Sequence, residues 1–263
     1  MIFEIRGLTY AALHKSLFIA FTVLLSIVST GFSEIIRDTF DTPGPLAGST
    51  PQVGNIWQTN GGSGNLIKSG GSLELAAGVS EEVESFFAPV SNGTIYAAFN
   101  FRITTALTKP WVFPFTFRGI TFSGGDQVGR IFISTTAGGF RIGVENNMDN
   151  PTWWSTPLEQ GVEYLAVLAF TENGASDYTT LWLNPTSALS PSISEPLENI
   201  TDEVFGIRLN SLNNSNGGIA IDNLVVTRDY FAAVPEPSTL VLLGVSVLML
   251  AGLRIRSRRE GRG

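Results

Sequence analysis

Carboxylates, hard oxygen donors and exposed indoles are the groups in this chain whose type and spacing could do chemistry. Glu81, Glu82 and Glu84 form the densest acidic cluster, just before Ser85-Phe86-Phe87. Two carboxylates about 5 Å apart can cleave a glycosidic bond with retention. Side chains alternate along a strand, so only Glu82 and Glu84 would share a face. Their position reads instead as the solvated start of a strand. Glu198, Asp202 and Glu203 flank a loop and read the same way. Asp38 and Asp41 near one end, and Asp222 and Asn223 near the other, offer the oxygens that calcium prefers. The competing role for Asp38 and Asp222 is turn capping through local backbone hydrogen bonds. Trp153 and Trp154 follow Asn150-Pro151, and Trp111 precedes Pro114, all at loop-like positions. An indole ring can stack on a sugar's apolar face. In an extended segment at most one of Trp153 and Trp154 is buried, which makes them the candidate glycan contacts. Trp57 and Trp182 read as core packing.

Other chemistries are excluded by inventory. There is no cysteine, so thiol catalysis, disulfides and cysteine-ligated zinc are absent. The single histidine, His14, lies in a segment expected to be removed, which leaves no Ser-His-Asp triad and no histidine-held metal. Between Glu34 and Ala233 there are 20 Asp and Glu against 9 Lys and Arg, a net charge of −11. A nucleic acid needs a basic face and is not an expected partner. Solubility, calcium and neutral glycans are all compatible with that charge.

The elements that must position these groups are strands. With 28 Gly, 13 Pro, 18 Phe and only 15% charged residues, the composition suits turn-rich, aromatic-cored β structure. From Thr94 to Thr104, Ile95, Ala97, Phe99, Phe101 and Ile103 alternate with Tyr96, Asn100 and Arg102, the pattern of a half-buried strand. Val162–Thr171 is apolar on both faces and predicts a central, doubly covered strand. Val128–Ser134 and Phe140–Glu145 flank Ala137-Gly138-Gly139 and predict a hairpin. Tyr178–Leu183, Val204–Asn210 and Gly218–Arg228 supply later strands. No helix and no repeat period are evident, so one sandwich is expected over 34–230.

The two ends carry targeting patterns. Lys15 precedes a 12-residue apolar run, Leu17 to Val28, and then Ser29, Thr30, Gly31 and Ser33. This predicts a signal peptide over 1–33, cleaved after Gly31 or Ser33. An N-terminal anchor is the alternative, although the run is short for the roughly 20 residues of a spanning helix. At the other end, Pro235-Glu236-Pro237 precedes Leu240–Leu253, and Arg254, Arg256, Arg258, Arg259 and Arg262 follow. The 14 apolar residues would rise about 21 Å as a helix, and Ser238, Thr239 and a snorkelling Arg254 extend it towards spanning. The arginines would hold the tail in the cytoplasm with the body outside.

In that order the triplet, the apolar helix and the arginine tail resemble the PEP-CTERM sorting domain, over 231–263. The resemblance rests on Pro235, Glu236 and Pro237, with Arg254, Arg256, Arg258 and Arg259 as the tail anchor. It implies a Gram-negative cell, recognition and cleavage by a membrane-embedded exosortase, an inner-membrane intermediate, and delivery to the envelope or exopolysaccharide. An ordinary anchor preceded by a fortuitous triplet is the alternative.

The body carries a second resemblance. Asp38-Thr39-Phe40-Asp41, then Gly44-Pro45-Leu46-Ala47-Gly48-Ser49-Thr50-Pro51 and Trp57, are similar to the opening of concanavalin A-like (LamG-like) domains. Leu181-Trp182-Leu183-Asn184-Pro185 and Ile221-Asp222-Asn223-Leu224 fit the later part. The implied fold is all-β, a two-sheet concanavalin A-like jelly-roll sandwich flanked by a signal helix and a short transmembrane helix. The resemblance also implies that Ile35–Phe40 and Ile219–Thr227 are neighbours, which would bring Asp38, Asp41, Asp222 and Asn223 together as a calcium site. Retaining hydrolases of one such family carry Glu-x-Asp-x-x-Glu along a strand, and this chain has no such run. A non-catalytic surface protein associated with exopolysaccharide is therefore expected. The alternatives are a lectin-like module and, behind it, a glycoside hydrolase.

Overall fold

The computed structural model describes residues 33–234, apart from 77, 108–110, 120–126, 147–149, 175, 199–202 and 211–216. The expected signal helix, the transmembrane helix, the Pro-Glu-Pro triplet and the arginine tail lie outside the described residues, as does Asp202.

In chain order the strands are β1 (Glu34–Asp38), β2 (Gly44–Pro45), β3 (Gln58–Gly61), β4 (Ile67–Lys68), β5 (Leu73–Leu75), β6 (Glu82–Val90), β7 (Gly93–Thr105) and β8 (Trp111–Gly119). They continue as β9 (Gln127–Thr136), β10 (Gly139–Glu145), β11 (Thr152–Trp153), β12 (Glu163–Glu172), β13 (Ser176–Leu183), β14 (Ser192–Glu198), β15 (Val204–Asn210) and β16 (Gly218–Thr227). One helical turn, α1 (Tyr230–Ala233), follows. The strands form two antiparallel sheets. The nine-stranded sheet runs β14-β13-β12-β7-β16-β5-β4-β2, with β1 also on β16, and the seven-stranded sheet runs β11-β10-β9-β8-β15-β6-β3. The described residues are an all-β, two-sheet sandwich.

Alternation builds the interior. Ile95, Ala97, Phe99, Phe101 and Ile103 of β7 are all buried and face the other sheet, where Phe99 packs against Phe115 with ring centroids 5.3 Å apart. Each isoleucine or phenylalanine among them contributes on the order of 2 kcal/mol by leaving water, and Ala97 less. In β12, Ala166, Leu168 and Phe170 join this core, while Val167 and Ala169 are buried on the opposite face. That strand is covered on both sides, as its all-apolar sequence predicts. The hairpin forms with Gly139 opposite Thr136. Only glycine fits there: its φ is +133°, and a Cβ would sit 2.3 Å from the Leu158 carbonyl.

The terminal strands pair, Glu34 with Thr227 and Asp38 with Leu224. Asn146 ties the sheets together at one end. Its Oδ1 accepts from Gly129 N at 3.0 Å and from Thr179 Oγ1 at 2.6 Å, and its Nδ2 donates to the Glu195 carbonyl at 2.8 Å.

Candidate functional site

Because Val204, Ile207 and Leu209 of β15 face the core, Arg208 points to the outer face of the seven-stranded sheet. Glu84 lies directly opposite on β6 and Thr116 on β8. Arg208 donates from Nε and Nη2 to Glu84 Oε1, both at 2.6 Å, and from Nη1 to Glu82 Oε2 at 3.1 Å. Arg118 reaches the same Glu84 oxygen from Nε at 3.0 Å. Glu84 is only 3% exposed and Glu81 only 5%. The reading of this cluster as a solvated strand start is therefore corrected: Glu84 is a buried anion between two guanidiniums, and Glu81 accepts the Leu66 N–H at 2.6 Å. Period two did put Glu82 and Glu84 on one face, where they share a single arginine.

Farther along the same face, Arg130 of β9 stands opposite Glu145 of β10, at 3% and 1% exposure. Among the described residues the Nε and Nη2 of Arg130 have no hydrogen-bond partner. Burial pulls this guanidinium below its ordinary pKa, the Glu145 carboxylate opposes that, and the charge of Arg208 adds to it. Glu84 and Glu145 are four strands apart, about 19 Å at ~4.8 Å per strand. That is too far for a glycosidase pair, whose carboxyls stand about 5–9.5 Å apart.

At the edge of this face lies Trp153, paired with Gly143 across the short β11. Its ring carries the Arg141 guanidinium 4.0 Å above the centroid. Gly143 makes room for it: a Cβ there would come within 2.7 Å of the indole. Trp154 turns the other way and packs against the main core, so the two indoles point oppositely as extended chain requires. Trp111 is not in a loop, as its neighbour Pro114 suggested, but starts β8 opposite Ser134. The proline is tolerated because the ladder with β9 shifts register between Val112 and Phe115, so no N–H is needed there. Trp57 is fully buried as expected. Trp182 lies outside the main core, on the outer face of the nine-stranded sheet.

The candidate calcium donors are gathered near the β1–β16 pair, where both oxygens of Asp38 and of Asp222 and one oxygen of Asp41 accept protein hydrogen bonds. Asp38 accepts from Phe40 N at 2.9 Å and from Trp57 Nε1 at 2.7 Å, which stabilises Phe40 at a φ of +52°. Asp41 accepts from Thr39 Oγ1 at 2.5 Å. Asp222 accepts from both nitrogens of Asn223, at 2.6 and 2.9 Å. Burial raises the Asp222 pKa, and the charges of Asp41 and Glu163 raise it further, while the Asn223 N–H lowers it. Among the described residues no group of three or more Asp, Glu, His or Cys is arranged to hold a metal ion. The bonds that Asp38 accepts from Phe40 N and Asp222 from Asn223 N are those of local caps.

Sequence reasoning missed the outer face of the nine-stranded sheet. Ala98 of β7 and Val167 of β12 are buried there beneath α1, with Tyr230, Ala233 and Val234 at 7%, 3% and 6% exposure. Tyr230 meets Tyr96 and Trp182 edge-on, with centroids 5.6 and 5.5 Å away. Burial and the neighbouring Tyr96 raise the Tyr230 phenol pKa. The available signals were the apolar outward positions of β7 and β12 and the run Tyr230–Val234, which the sequence reading split at 230.

A family model described as the PEP-CTERM protein-sorting motif matches residues 233–259. No curated protein matches the chain. Similar solved structures include the alginate lyase Aly36B bound to an alginate trisaccharide, at 14% identity and a TM-score of 0.47, covering 65% of this chain and 87% of that one. An endo-1,3-beta-glucanase from Streptomyces sioyaensis shows 13% identity and 0.47, over 75% and 96%. The Emp47p carbohydrate recognition domain shows 11% and 0.41, over 73% and 96%. The sorting motif implies an exported protein processed by an exosortase.

Proposed function

We propose that this protein is a non-catalytic component of the cell envelope or exopolysaccharide, exported, held briefly in the inner membrane with its C-terminus cytoplasmic, and released by an exosortase. The body would be a concanavalin A-like jelly roll serving adhesion or structure. The observation that carries this reading is the sorting-motif match, with Pro235, Glu236 and Pro237 inside it. The pairing of the first and last strands supports the fold assignment. A structural role for the carboxylates of the seven-stranded sheet supports the non-catalytic reading: Glu82 and Glu84 are both engaged by Arg208, and both fix strands β6 and β15 to one another. The test is a Pro235→Ala/Pro237→Ala variant followed in the producing cell. Full-length protein should accumulate in the membrane, and release at the wild-type rate would refute the sorting role.

A lectin-like role is the second reading, favoured by the position of Trp153 at the edge of a polar sheet face, where a sugar would have to displace the Arg141 guanidinium from the ring. Processed protein should then be retained on the organism's own exopolysaccharide and lose retention in a Trp153→Ala variant, which leaves the core contact of Trp154 in place. Loss in EDTA would add calcium held by Asp38, Asp41, Asp222 and Asn223. No retention in either condition leaves a passive surface module.

A further inference from the structure

We infer that α1 and Val234 form a latch, which holds the upstream flank of the sorting motif against the folded body and makes processing wait on its release. The inference rests on the exosortase reading above for its biological meaning, but its geometry stands alone.

The sequence run is Tyr230-Phe231-Ala232-Ala233-Val234, with Pro235 next. The sorting-motif match begins at residue 233, so its first two residues, Ala233 and Val234, are packed into the body at 3% and 6% exposure. The receiving surface is apolar where a solvent-facing sheet carries polar side chains: Ala98 and Val167 are buried, and Tyr96, Leu165 and Trp182 pack around them. Tyr230 is the wedge between Tyr96 and Trp182. The turn is also closed along its backbone. Asp229 N donates to Thr227 Oγ1 at 3.1 Å, Ala233 N to the Asp229 carbonyl at 3.2 Å, and Val234 N to the Tyr230 carbonyl at 3.0 Å. Pro235 can neither supply the next N–H nor leave Val234 at ease in a helix, so the turn stops where the triplet starts.

A single helical turn has no stability of its own in water, because nucleation costs more than one turn of hydrogen bonds returns. The latch therefore exists only when β7, β12 and β16 have assembled beneath it. Proteins commonly bind a peptide segment in extended form, as an added strand. A site that takes three residues upstream of Pro235 needs about 10 Å of extended chain. Those residues are Ala232, Ala233 and Val234, which the latch holds in a turn. Binding can use only the fraction of molecules in which the segment is released, so the apparent rate falls by that fraction.

Two variants test this. Tyr230→Ala removes the wedge. Insertion of Gly-Ser-Gly-Ser-Gly-Ser between Val234 and Pro235 leaves every latch contact intact and adds free chain. Full-length protein would be purified in detergent and treated with a nonspecific protease, and processing would be followed by pulse-chase in the producing cell. Wild type should be cut near residue 235 about tenfold more slowly than either variant. Amide exchange at Ala233 and Val234 should be slow in wild type and in the insertion variant, and fast in Tyr230→Ala. Equal cutting of all three proteins, or unprotected amides in wild type, overturns the latch. If the cell never processes wild type, the exosortase reading falls while the protease and exchange results still decide the latch.

Discussion

The seven-stranded sheet turns Glu84, Arg208, Arg118, Arg130 and Glu145 outward, whereas the nine-stranded sheet turns out Tyr96, Ala98, Val167 and Trp182. Both sets are largely shielded from water, yet they solve that burial differently. Charges on the first face are matched to one another across strands, so the sheet supplies its own partners. The apolar residues on the second face have nothing to offer each other that water would not disturb, and the chain covers them with its next residues. A charged face demands fixed pairs, while an apolar face demands only a cover, and a cover can lift.

The sharpest way to break this contrast is to remove the shared anion. Glu84→Ala takes from Arg208 and Arg118 the carboxylate they share, leaving Arg208 its longer bond to Glu82, and loss of one partner from a buried ion pair costs about 3–5 kcal/mol. Urea unfolding of the processed protein should show it. A loss below about 1 kcal/mol would mean that the charges rearrange freely and the face is not a fixed network. On the opposite face Val167→Ala should cost only about 1–2 kcal/mol, mostly the two methyl groups taken from beneath α1. Its larger effect should be on exchange of the Ala233 and Val234 amides, which would quicken while the core amides of β7 stay protected. If both faces lost equal stability, the distinction between network and cover would fail.

The smallest expected effect refines the electrostatics near β16. The Asp222 pKa is raised in the folded protein, so this group favours folding below its unfolded value and loses that contribution as pH rises through the raised one. Asp222→Asn should therefore match wild type in melting temperature under acidic conditions. It should become slightly the more stable as pH climbs above the ordinary aspartate range near 3.9. A variant less stable than wild type at neutral pH would show that the Asn223 hydrogen bonds outweigh the repulsion from Asp41 and Glu163.

Much of the scaffold could be read from residue patterns. Alternation from Thr94 to Thr104 marks β7, and an apolar run on both faces marks β12, because burial on one or two sides writes itself into every second or every position. β8 escaped notice because Trp111–Phe117 is apolar at nearly every position and contains a proline, which only a register shift accommodates. β14 escaped because Ser192–Glu198 is a sheet edge, half of it polar, with Pro196 where no ladder partner is required on the far side. The site was less legible than the fold. Glu84 and Arg208 are 124 residues apart, and nothing local in either segment announces the other. Asp38 was recognisable as a turn residue, but its second partner, Trp57 Nε1, is visible only once β1 is folded back. Trp182 was assigned to the core because indoles usually go there, and the structure instead gives it the tail to hold.

The position of β16 sets a schedule for the whole molecule. This strand lies inside the nine-stranded sheet, between β7 and β5, and also carries β1, the first strand of the body. A chain that emerges from its N-terminus onward therefore cannot close this sheet until its last strand arrives. Contacts of such long sequence separation are slow to form, since the loop entropy must be met before the pairing rewards it. Truncation short of Gly218 would leave β1 and β5 without their shared neighbour and expose an unpaired edge of β7 to aggregation. Residue 233, where the sorting motif begins, comes only six positions after Thr227. Completion of the sheet and appearance of the address are thus almost one event in time, and a chain that carries the address has already received the strand that finishes it.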